Sequence, residues 1–142
     1  MTKETAQQIA ELINRRNGLS AKYTSDKVLS DKDNYVVILD GNELVACVES
    51  KKVRWYQCEI CHVSVNEKFK GQGKGPEILA LAEDKAKKQG ARIIQCTIRD
   101  DNRKSIRLFS ANGYENVNRF YNAVTRNTVL VFQKRLYDST DK

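Results

Sequence analysis

Val65-Asn66-Glu67-Lys68-Phe69-Lys70-Gly71-Gln72-Gly73-Lys74-Gly75 is the stretch on which the fold turns. It joins an apolar, strand-like run, Ile60 to Val65, to an amphipathic, helix-like run. Glycines at 71, 73 and 75 let backbone N–H groups approach a ligand without Cβ atoms in the way. The first N–H groups of a helix have no intrahelical partner and carry partial positive charge. Loop and helix start together form a phosphate cradle, to which Lys70 and Lys74 add full charges. Pro76 suits the first turn, where a missing N–H costs nothing. Lys85, Lys87 and Lys88 suit the negative end, and Gly90 caps it. Ile78, Leu79, Leu81, Ala82 and Ala86 form the expected apolar stripe. The loop is neither a Walker A, since no Gly-Lys-Ser/Thr follows, nor the G-x-G-x-x-G dinucleotide fingerprint.

The spacing Lys70-x-x-Gly73-x-Gly75 resembles the acetyl-CoA loop of the GNAT superfamily, the Gcn5-related N-acetyltransferases. After a strand over Arg92–Ile98 comes Asn102-Arg103-Lys104-Ser105-Ile106-Arg107-Leu108-Phe109-Ser110-Ala111-Asn112-Gly113-Tyr114. This resembles the second GNAT signature, Asn-x-x-Ala/Ser-x-x-Leu-Tyr-x-x-x-Gly-Phe/Tyr. The two motifs fall in the family's order, and the resemblance covers about residues 35 to 137.

The resemblance implies acetyl transfer from acetyl-CoA, the co-substrate, to a primary amine of a small molecule or protein. It implies that Val63, Ser64 and Val65 face the pantetheine arm with their backbone and supply the thioester's oxyanion donor. The pyrophosphate would lie on Lys70, Gly71, Gln72, Gly73, Lys74 and Gly75, with Asn102 and Ser105 nearer the thiol end. Glu59, on the same strand, is the candidate general base, set against a plain solvent-facing strand Glu. Phe109 stands where the family usually has a Tyr that protonates the departing thiolate, and phenylalanine cannot donate a proton. Tyr114 and Tyr121 are candidates for that task only through nearness in the chain. His62, if strand alternation holds, faces away from Glu59 and reads as structural. The alternatives are a catalytically weak CoA-binding protein and a basic nucleic-acid or partner-binding module on the same fold.

A chain of 142 residues suits one domain with one core, spanning 1–142. A helix over Thr5–Asn17 is expected in the N-terminal 1–18 segment, with Thr5 and Gln8 at capping-box spacing and Gly18 as its stop. Then come an irregular stretch over 19–34 with room for a short helix, a hairpin from Tyr35 to Ser50 and a long strand from Arg54 to Val65. The second motif leads into an antiparallel pair over 114–121 and 128–136, and 138–142 are a polar tail. The expected fold is a single α/β (α+β) domain: a mixed, mostly antiparallel sheet flanked by helices, lacking the family's first edge strand.

Residues 1–57 carry nine Lys/Arg against eight Asp/Glu, and residues 58–142 sixteen against ten, within a net charge of +7. The half with both motifs therefore holds the excess, as a polyanionic co-substrate favours. No helix-turn-helix, zinc finger or aromatic RNA-binding motif is visible, which disfavours nucleic acid as a partner. A homodimer stays open. No apolar run is long enough to cross a bilayer and no signal peptide is read, so a cytoplasmic location is expected. Cys58-Glu59-Ile60-Cys61-His62 spells a haem attachment motif. On a strand, side chains three apart point to opposite faces, so reduced, partly buried thiols are expected instead, with no metal.

Overall fold

The computed structural model describes residues 1–17, 19 and 21–137. Among them are four α-helices and six strands, in the order α1 (Lys3–Arg16), α2 (Ser25–Ser30), β1 (Tyr35–Asp40), β2 (Glu43–Arg54), β3 (Gln57–Val65), α3 (Lys74–Lys88), β4 (Ile93–Arg99), α4 (Arg103–Ala111), β5 (Glu115–Asn122) and β6 (Asn127–Arg135). The strands form one mixed sheet ordered β1-β2-β3-β4-β6-β5. The β3/β4 pair is parallel, while β1/β2, β4/β6 and β5/β6 are antiparallel. No strand precedes α1 among the described residues. The sheet therefore starts at β1, as expected from the absence of a strand-forming run before the first helix.

The chain divides into two compact units, Met1–Ser50 with His62–Ala82, and Lys51–Cys61 with Glu83–Lys142. In the first, α1 buries Ala6, Ile9, Ala10, Leu12 and Ile13 with Val28, Tyr35, Leu44 and Cys47. Those five helix residues recur at three- and four-residue intervals, the spacing that keeps one helical face apolar. Thr2, not Thr5, caps this helix: its side chain accepts from the Thr5 N–H at 3.1 Å. Gln8 is drawn elsewhere, donating to the Asn42 carbonyl and accepting from the Leu44 N–H, both at 2.8 Å. Tertiary contacts thus outbid the capping box. The expected stop at Gly18 lies outside the described residues, and Asn17 is the C-cap. The polar tail, 138–142, also lies outside them.

The second unit buries Cys58, Ile60, Ala86, Ala91, Ile94, Cys96, Ile98, Phe109, Tyr114, Val131, Phe132 and Leu136. Here the expected strand boundary moves. Lys51–Arg54 continue β2, and the chain reverses at Trp55-Tyr56 before β3. The Tyr56 carbonyl, which accepts from the Arg92 and Ile93 N–H groups at 2.7 and 2.9 Å, fixes that reversal. Leu81, expected in the α3 stripe, is 40% exposed, whereas Ile78, Leu79, Ala82 and Ala86 are buried.

Candidate active site

The glycine loop follows a short 3-10 turn, Glu67–Phe69, whose start Asn66 pins to β2. Its N–H donates to the Val45 carbonyl at 2.8 Å and its side-chain amide to the Leu44 carbonyl at 2.9 Å. Gly71 and Gly73 have φ of +80° and +73°, the left-handed region that L side chains rarely enter. A Cβ built at either would meet nothing within 4 Å. The glycines are therefore required by the backbone path and leave open space over it, which is where an anion would sit on the N–H groups. α3 begins at Lys74, and the Glu77 N–H already donates to the Gly73 carbonyl at 3.2 Å. Lys70 and Lys74 pair locally with Glu67 and Glu77 at 3.8 and 3.2 Å. Exposed pairs at this spacing are weak, so a phosphate can recruit both ammonium groups. These features fit the pyrophosphate of a nucleotide thioester.

Ahead of the loop, His62 has φ +58°. The alternation on which its opposite facing to Glu59 rested is interrupted there. Its ring packs edge-on against Tyr23, centroids 5.3 Å apart. The Ser64 side chain is buried, donating from Oγ to the His62 carbonyl at 2.9 Å and accepting from the Asn17 amide at 3.1 Å. Only the backbone of Ser64 is left for a ligand.

In the second unit, Glu59 closes the parallel ladder, whose rungs are Gln57↔Ile93, Cys58↔Ile94 and Glu59↔Gln95. Its carboxylate is half-buried. Oε2 accepts from Gln95 Nε2 at 3.3 Å and from Gln57 Nε2 at 3.4 Å. Burial raises its pKa, and the two amide bonds oppose the rise. A partly desolvated carboxylate with only neutral hydrogen-bond partners has the character of a base. The sequence offered no sign of Gln95, since the pairing that brings it to Glu59 is set by strand register.

The second motif turns out to be the terminal punctuation of α4. Asn102 is the N-cap, its Oδ1 accepting from the Ser105 N–H at 3.2 Å. At the other end, Gly113 takes φ +89°. The Tyr114 N–H donates to the Phe109 carbonyl at 3.0 Å and the Gly113 N–H to the Ser110 carbonyl at 3.3 Å. That is the Schellman pattern. Phe109 is 4% exposed and meets Tyr114 ring to ring. Four of the matched positions thus act as caps or packing.

Of the two tyrosines, Tyr114 is already engaged. The Tyr114 hydroxyl donates to Glu83 Oε2 at 3.0 Å, and Glu83 Oε1 accepts from Lys134 at 2.9 Å. Burial, then the Glu83 carboxylate, push its pKa up strongly. Tyr121 is 63% exposed on β5. Burial pushes the Cys47 thiol up to about 12 and the Cys96 thiol upward as well, so neither is a ready nucleophile. Cys58 donates to Gln89 Oε1 at 3.6 Å.

The model of the Acetyltransferase (GNAT) family matches residues 6–114, and the chain belongs to that family. No curated protein matches it. Among solved structures, yncA from Salmonella typhimurium, with its cofactor acetyl-CoA, superposes with a TM-score of 0.83 at 17% identity, covering 100% of this chain and 94% of that one. Ard1 from Thermoplasma volcanium gives 0.81 at 15% identity, covering 97% and 95%. An aminoglycoside 6'-N-acetyltransferase complexed with coenzyme A gives 0.80 at 14% identity, covering 96% and 93%. At these identities the likeness shows the fold.

Proposed function

We propose that this protein transfers an acetyl group from acetyl-CoA to a primary amine of a small molecule or protein. The observation that carries the reading is the glycine loop. Two left-handed glycines open to solvent, at a strand-to-helix junction flanked by Lys70 and Lys74, form a cradle for a pyrophosphate. Family membership and neighbours solved with acetyl-CoA or coenzyme A support the same ligand.

In this reading the N–H groups of residues 71–75 hold the pyrophosphate. Lys70 contributes its ammonium and not its N–H, which donates to the Glu67 carbonyl at 3.2 Å. The backbone of Val63, Ser64 and Val65 lines the pantetheine, and Asn102, Ser105 and Phe109 lie toward the thiol. Glu59 takes the proton of the acceptor amine as its nitrogen bonds to the acetyl carbon. The carbon–sulfur bond breaks and the electron pair leaves on the sulfur. Phe109 stands in place of a phenol and the Tyr114 hydroxyl is held by Glu83, so unaided departure of the thiolate is the route we favour. A thiol of pKa ~8.5 leaves unprotonated at modest cost near neutral pH. Four cysteines outside any disulfide suit the reducing cytoplasm, where we place this chemistry. No described helix is long and apolar enough to cross a membrane.

The test is release of free coenzyme A from acetyl-CoA across panels of small amines, polyamines, aminoglycosides and peptides with free N-termini. Amine-dependent release with mass gain on the acceptor supports the reading. Tight acetyl-CoA binding without release for any acceptor would reduce the protein to a CoA binder.

A further inference from the structure

On the Glu59 face of the sheet, two carboxamides, Gln57 and Gln95, bond one carboxylate, and a third, Gln133, bonds Gln95. Register aligns Glu59 with Gln95 on β4, and Gln95 with Gln133 on β6. Gln133 Nε2 donates to Gln95 Oε1 at 2.6 Å, the shortest bond of the set. That bond fixes which way the Gln95 amide points, because its oxygen is held by Gln133 and its nitrogen must then face Glu59. Gln95 Nε2 and Gln57 Nε2 both donate to the same oxygen, Oε2.

We infer that Gln133 and Gln95 are positioning residues for Glu59: Gln133 sets the Gln95 amide, and with Gln57 it anchors Oε2 and keeps Oε1 for the acceptor amine. The role of Glu59 as base rests on the acetyl-transfer reading; the orientation of its carboxylate does not. Each donor bond favours the ionised form and burial disfavours it, so the amides hold the group usable as a base despite its partial desolvation. Substituted carboxylates would do this less well. A charged partner such as Lys would trap the base as an ion pair, whereas a neutral amide supports it without competing for its proton.

The strands around Glu59 and its amides also carry titratable and charged groups, among them His62 on β3 and Glu115 on β5, the latter paired with Gln133. β3 carries Cys61, and β4 carries Cys96, whose thiol is pushed up by burial and then by the Glu59 carboxylate, and Arg99 at the strand end. β6 ends at Arg135, and β2 contributes Lys51, Lys52 and Arg54, with Lys52 donating to the Gln89 carbonyl at 2.8 Å. The hydrogen bonds of the Glu59 carboxylate are to the neutral amides of Gln95 and Gln57.

The experiment is titration of the Glu59 side-chain carboxyl by carbon-13 NMR, in wild type, Gln133→Met and Gln133→Glu. Glu59→Gln assigns the resonance. Gln133→Met removes the donor that orients Gln95, and the Glu59 midpoint should rise by about one pH unit, the tenfold change in proton affinity that one hydrogen bond to an ionised group supports. Gln133→Glu should raise it further, because a carboxylate there accepts from Gln95 Nε2 and turns the Gln95 carbonyl toward Glu59. Gln57→Met removes the other donor and should raise it without involving β6, which keeps the proposal testable if a Gln133 variant fails to fold. With any amine that wild type acetylates, Gln133→Met should lower kcat about tenfold, leave KM for acetyl-CoA unchanged and move the acid limb of the pH profile upward. Midpoints equal to wild type in the folded variants would overturn the positioning role. Absence of acetylation by wild type would instead overturn the acetyl-transfer reading, with the titration still deciding the proton affinity and orientation of Glu59.

Discussion

The rings of Phe109 and Tyr114 meet edge to face, with centroids 5.0 Å apart and planes at 85°. Phe109 is three residues inside the C-terminal end of α4, and Tyr114 is the second residue beyond its cap. This is the apolar contact that accompanies a Schellman ending. The position where related enzymes usually present a phenol is here a wall of the helix terminus.

Phe109→Tyr tests the consequence for chemistry. It adds one oxygen to a buried ring. If that oxygen reaches the coenzyme A sulfur, turnover should equal or exceed wild type, most visibly below pH 8, where the thiolate otherwise leaves against its protonation equilibrium. Slower turnover across that range, in a folded protein that binds coenzyme A normally, would show that the ring serves packing alone.

Tyr114→Phe should separate stability from catalysis. The lost hydroxyl bond to Glu83 is charge-assisted, so urea denaturation should show a loss of about 1.5–3 kcal/mol. The raised pKa of this phenol makes it a poor proton donor near neutrality, and the pH profile of turnover should keep its shape. A selective loss of activity on the alkaline side would make Tyr114 the acid.

Asn102→Ala should cost about 1 kcal/mol through loss of the α4 N-cap. Asn102→Ser retains a capping oxygen and should recover most of it. If Asn102 also contacts pantetheine, the serine variant should be stable yet bind acetyl-CoA more weakly in calorimetry. Recovery of both properties would make Asn102 a cap and nothing more.

Gly73→Val forces a branched side chain into φ +73°, a strain of about 1–3 kcal/mol. Its Cβ meets no neighbour, so the fold should survive. Acetyl-CoA affinity should fall roughly tenfold or more, each factor of ten being ~1.4 kcal/mol. Unchanged affinity in the folded variant would remove the loop as the pyrophosphate site.

Glu59→Gln should lower turnover about 10²-fold or more with little change in acetyl-CoA binding. In wild type the rate should climb with pH as the carboxylate ionises, with a midpoint above the ordinary 4.5 because burial raises it. The same shift has a stability sign. A folded-state pKa above the unfolded one means the folded protein holds this proton more tightly. The associated stability is present below the unfolded pKa and is lost as pH rises through the folded one. The Gln variant should lack that loss, and urea titrations from pH 4 to 7 would reveal the difference.

The residue order alone determined the strand, glycine loop and helix around Gly73, because glycine spacing, Pro76 and the lysines of the helix end are local signals that tertiary contacts had no reason to override. It also carried the family resemblance and Glu59 as a candidate. It did not reveal the reversal at Trp55-Tyr56, where no Gly, Pro or Asn marks a turn and the bonds holding Tyr56 come from residues more than thirty positions away. It likewise hid the capping by Thr2, the exposure of Leu81, the left-handed His62 and the hold of Glu83 on Tyr114. Gln57 neighbours Glu59 on β3 itself, but Gln95 and Gln133 come from β4 and β6, and only register brings those two amides into line with it. Backbone path is written locally, in propensities and special φ angles. The electrostatic surroundings of a carboxylate are written by whichever distant strands come to lie beside it.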